Sequence, residues 1–82
     1  MNITQDVPHA NPINPDVILG LRWFVTHDDD LFETVAEAII SIDHARQRFA
    51  ATLYDDKHNT VARLTYVPGP WNGWQKEEIS NA

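Results

Sequence analysis

Three observations in the 82-residue chain predict a small single α+β domain of β-α-β-β order. Residues 28–43 carry apolar side chains at helical spacing, residues 16–25, 48–55 and 60–67 carry them at strand spacing, and prolines stand on both sides of this block. The expected architecture is a three-stranded sheet with one amphipathic helix on one face and irregular termini containing Pro and Trp. The expected organisation is a flexible N-terminal arm at 1–15, the β-α-β-β domain at 16–67 and a Trp-containing tail at 68–82.

The arm holds Pro8, Pro12 and Pro15 among Asn, Asp and His, with no hydrophobic period. After Pro15 the residues Val17, Leu19, Leu21, Trp23 and Val25 alternate with Ile18, Gly20, Arg22, Phe24 and Thr26. This predicts a half-buried first strand with the odd-numbered positions facing the core and a bulge at Gly20. The stretch Asp28–Asp43 predicts the helix. At about 100° per residue, Leu31, Phe32, Val35, Ala36, Ile39 and Ile42 share one side, and Asp30 and Glu33 have capping-box spacing. A short link through His44 leads to a second strand, Arg48–Asp55, with Phe49, Ala51 and Leu53 facing inward. The polar loop 55–59 turns the chain into a third strand, Thr60–Val67, with Ala62, Leu64 and Tyr66 facing inward. Strands joined through a helix favour parallel pairing, and the short loop favours an antiparallel hairpin. Pro68-Gly69-Pro70 stops the last strand, and Asn72-Gly73 is a tight-turn dipeptide that would bring Trp71 and Trp74 together.

A chain of this length buries a core only marginally, so loose ends or a second chain are expected. Cysteine is absent, which excludes disulfides, thiolate catalysis and Cys-based zinc sites. Residues 1–15 have neither a basic n-region nor an apolar run, and no segment approaches the ~20 apolar residues of a membrane span, so a cytoplasmic protein is expected. The net charge is −6. Six acids and no Lys or Arg lie between Asp28 and Asp43, while the remainder holds six acids and six bases. Such a chain is repelled by nucleic acid and drawn to basic partners.

Sites for chemistry are poorly marked. His27-Asp28-Asp29-Asp30 clusters carboxylates beside an imidazole, but a helical start splays consecutive side chains about 100° apart, and helix capping accounts for these residues. His9, His27, His44 and His58 lack the spacing that puts two imidazoles on one face. There is no GxSxG, the three glycines cannot build a phosphate-binding loop, and Asp55-Asp56 is an ordinary turn pair. No catalytic residue, metal ligand or cofactor is therefore assigned, and a non-enzyme is expected.

Two surfaces remain as candidates. The acidic helix face, Asp29, Asp30, Glu33 and Glu37, is unrelieved by any base and suits a basic groove on a partner. The sheet face that one helix cannot cover would present Arg22, Phe24, Arg48, Tyr54 and Arg63, with Trp71 and Trp74 as apolar anchors. The expected function is a small, acidic, non-catalytic protein-interaction module that binds a larger protein or complex. One concrete form is an inhibitor of a nucleic-acid-handling complex, of the anti-defence type encoded by mobile elements. The alternatives are a homodimeric structural or ligand-binding module paired through its open sheet face, and single-stranded RNA binding on the Arg/aromatic face, which the net charge disfavours.

Overall fold

The computed structural model describes residues 1–6, 13–45, 47–67 and 73–77. Its elements are β1 (Asn2–Asp6), α1 (Pro15–Thr26), α2 (Asp29–Thr34), β2 (Glu37–Asp43), β3 (Arg48–Tyr54), β4 (Thr60–Tyr66) and β5 (Trp74–Lys76). The strands form one mixed sheet in the order β1-β2-β3-β4-β5, with β1 parallel to β2 and every other neighbouring pair antiparallel. The class is α+β as expected. The three-stranded β-α-β-β arrangement is not, and two segments account for the difference.

The first is 16–25, expected as a strand and found as helix α1. Its start is well specified. Asn14 is the N-cap, its side-chain oxygen accepting the Asp16 N–H at 2.9 Å, and Pro15 and Asp16 occupy the first turn, where a missing donor and a negative charge are both favourable. Val17, Leu21 and Val25 recur every four residues and are buried, together with Ile13. Period two groups Leu19 and Trp23 with them; helical geometry turns both to the opposite side. Gly20 sits in the helix interior, not at a bulge.

The second is 28–43, expected as one helix. Helix α2 stops at Thr34, and Glu37–Asp43 is strand β2, hydrogen-bonded to β1 on one side and β3 on the other. Val35, Ile39, Ile40 and Ile42 are β-branched and fit a pleated surface better than a helix interior. Two ladders of backbone hydrogen bonds then override a weak helical preference. The N-cap is Asp28, whose Oδ1 accepts the Leu31 N–H at 3.2 Å, so the Asp30–Glu33 capping box does not form.

The termini also contribute. Asn2–Asp6, expected within a flexible arm, forms β1, and Pro15 opens α1. Trp74–Lys76, within the expected tail, forms β5. A parallel pair does flank the helical segment, but it joins β1 to β2.

The β3–β4 hairpin lies where the alternation places it. Ala51, Leu53 and Leu64 are buried facing the helices, and Phe49, Ala62 and Tyr66 pack beside them. The turn is closed by the Asp55 carboxylate, which accepts the N–H groups of Lys57 at 2.9 Å and Asn59 at 2.8 Å. At the far edge, Trp74 is buried. Its Nε1–H donates to the Val17 carbonyl at 2.9 Å, and its ring lies 5.3 Å from that of Tyr66, so β5 is tied to α1. Gly73 precedes it at φ +86°, and a Cβ there would come within 2.8 Å of the Val67 carbonyl oxygen.

Candidate functional site

Helix α1 is apolar almost all the way round, with one face in the core and a second left in water. Leu19 is 60% exposed and Trp23 55% exposed, one turn apart on the side away from Val17, Leu21 and Val25. Phe32 on α2 is 64% exposed. Scattered apolar side chains on a surface are ordinary; here Leu19 and Trp23 lie one turn apart on α1, and Phe32 is exposed on the helix that follows.

Trp23 is also held in place. The His27 ring stacks on it, with centroids 4.2 Å apart and planes 20° from parallel, and His27 Nδ1–H donates to the Trp23 carbonyl at 2.9 Å. His27 is the C-cap of α1, and its backbone N–H also reaches the Trp23 carbonyl at 3.0 Å. A side chain fixed before binding loses less entropy when a partner covers it.

The surroundings of these residues are acidic. Asp16, Asp29, Asp30 and Glu33 are exposed on the two helices, against Arg22 as the exposed base. Asp28 is satisfied within the fold. Lys76 Nζ lies 2.8 Å from its Oδ2, and this ion pair, with the Leu31 N–H, holds the Asp28 carboxyl below the usual carboxylate range. The Asp55 carboxyl is likewise lowered, first by the Asn59 N–H. A cleft of about 490 Å³ opens between the end of α2 and the β3–β4 turn, lined by Glu33, Thr34, Val35, Ala36, Asp55, Asp56 and Val61. It extends the acidic surface of α2 through Glu33.

Of the acidic face expected from sequence, Asp29, Asp30 and Glu33 are exposed on α2, whereas Glu37 lies half-buried in β2 opposite Tyr54. The expected sheet face is divided. Arg48, Tyr54 and Arg63 share the side of the sheet away from the helices, whereas Arg22 and Phe24 lie on α1, the first exposed and the second packed against the core. Trp74 is a core residue, and Trp71 lies outside the described residues. His44, expected at a helix end, sits in the turn after β2, and His9 is outside the described residues.

The sheet face that holds Arg48, Tyr54 and Arg63 carries acids as well. Arg63 lies 3.2 Å from Glu77 and 3.8 Å from Asp43, and the Thr65 hydroxyl donates to Glu77 at 2.8 Å. An arginine engaged by carboxylates is a poor phosphate ligand, and among the described residues this face offers Tyr54 where a base-stacking platform needs several aromatics.

Sequence reasoning misses Leu19, Trp23 and Phe32 as surface residues because the assumed periods put all three in the core. The signal that could have found Leu19 and Trp23 is the helix start Asn14-Pro15-Asp16, which makes period 3.6 the correct template for residues 17–26; Phe32 is already read in a helix and has no such signal.

Among the described residues, no group of three or more His, Asp or Glu side chains is placed to hold a metal ion, and no helix is long and apolar enough to cross a membrane. Comparison with protein-family models, curated proteins and solved structures finds no match to this chain.

Proposed function

We propose that this protein is a small, non-catalytic interaction module that docks the outer face of α1 and α2 into a larger partner. The observation that carries the reading is the exposure of Leu19, Trp23 and Phe32 on helices whose other charges are mostly acidic. Large apolar side chains supply binding energy at the centre of an interface, and a ring of charge at the rim selects the partner's sign. The partner therefore presents an apolar cleft edged by Lys or Arg. A groove built to hold nucleic-acid phosphates has that rim, and an acidic protein seated in it would act as an inhibitor.

The test is capture of partners from the native lysate by the tagged protein, run in parallel with a Leu19→Ser/Trp23→Ser variant and a Gln75→Ala variant altered on the other face of the sheet. A species retained by the wild type and by Gln75→Ala but lost with the double variant, and eluted by salt, is the expected result. Equal capture by all three would remove the helical face from consideration.

A further inference from the structure

We propose that β1 is a self-complementary edge through which two copies of this chain pair into one continuous sheet. The sheet order leaves one side of Asn2–Asp6 without a neighbouring strand among the described residues. The strand at the other edge is protected by being three residues long and carrying Lys76, whereas β1 runs for five residues in unbroken register with no Lys, Pro or bulge.

The ladder with β2 shows which backbone groups are available. Asn2 N–H donates to the Ala36 carbonyl at 3.1 Å, and Asn2, Thr4 and Asp6 stand opposite Glu37, Ile39 and Ser41. In a parallel pair, a residue that directs its N–H to its neighbour directs its C=O there too, and alternate residues direct both groups away. Ile3 and Gln5 therefore offer N–H and C=O to the outer edge.

A second β1 running antiparallel and centred on Thr4 meets those groups in register. Ile3 of each copy stands opposite Gln5 of the other, and each such pair exchanges both N–H···O bonds. The side chains agree with this register. Asn2 faces Asp6 at both ends, amide against carboxylate, and Thr4 faces its own copy, a favourable cross-strand pair. No like charges are opposed, and this is what makes a second copy of the chain the occupant. The two-fold axis stands perpendicular to the sheet, so both helical layers come to one face. Their acidic residues repel across the dimer, and added salt strengthens it. This salt response is opposite in sign to that of the proposed basic partner.

Sedimentation of the full chain from micromolar to millimolar concentration tests the pairing. The wild type is expected to associate more strongly as salt rises, with the Ile3 and Gln5 amides becoming protected from exchange in the dimer. Gln5→Pro removes an outward N–H and no β1–β2 bond, and is expected to weaken association by about tenfold or more. Asn2→Asp opposes two carboxylates at each end and should weaken association at low salt and recover at high salt, a response that loss of folding would not give. A wild type that stays monomeric at millimolar concentration, or variants that associate as tightly as it does, would overturn the proposal.

Discussion

Asp28 joins two parts of the fold. Its carboxylate caps α2 through the Leu31 N–H and pairs with Lys76 on β5, and both contacts favour the charged form. A carboxyl lowered in the folded state contributes stability that is complete above its unfolded value, about 3.9, and is lost as pH falls through the folded value. Asp55 adds to the same slope through the β3–β4 turn. Asp28→Asn keeps an oxygen for the cap and loses the charge. Thermal melts of this variant should fall less steeply than wild type as pH drops below about 4, and at pH 7 the cost should be no more than about 1 kcal/mol, since the ion pair is partly exposed. Parallel melting curves for the two proteins at low pH would refute the assignment. At this scale the sequence was legible in part. The carboxylate-rich helix start was evident from Asp28-Asp29-Asp30, but which aspartate caps depends on where the turn begins, and Lys76 is brought near by the tertiary fold.

At the scale of elements, α1 separates buried from exposed apolar residues. Leu21 is fully buried and Leu19 is 60% exposed two positions away. Leu21→Ala should cost about 3 kcal/mol in denaturant unfolding through lost burial and a cavity, while Leu19→Ser should change stability by no more than about 0.5 kcal/mol. If the two substitutions cost the same, α1 is not oriented as described. The same helix shows what could be read in advance. The β3–β4 hairpin was legible because strict alternation in 48–55 and 60–67 agrees with the turn residues between them. In α1 the apolar run is nearly continuous, so both periods fit, and the cap signal at Asn14-Pro15 was the deciding information. In 28–43 the helical period was real as a pattern, but no Gly or Pro marks the stop after Thr34. β1 lay hidden beside prolines with one half-buried Ile3, and only its pairing with β2 makes it a strand.

At the scale of the whole molecule, the redistribution of elements moves the candidate site. A three-stranded sheet with one helix would have left an Arg/aromatic face open. The five-stranded sheet instead engages Arg63 with Asp43 and Glu77, buries Trp74, and leaves Leu19, Trp23 and Phe32 on the helical side with Asp29, Asp30 and Glu33. The acidic surface was visible from composition, since sign and density of charge survive a change of secondary structure. The apolar anchors were not, because exposure depends on which face each helix turns inward. Whether a partner meets this helical face is read by mapping amide resonance shifts of the labelled protein as a captured partner is added. Shifts concentrated at Asp16, Leu19, Trp23, His27, Asp29, Phe32 and Glu33, with Thr52, Arg63 and Gln75 unmoved, are the predicted result. Shifts confined to the opposite face of the sheet, with α1 and α2 silent, would contradict it.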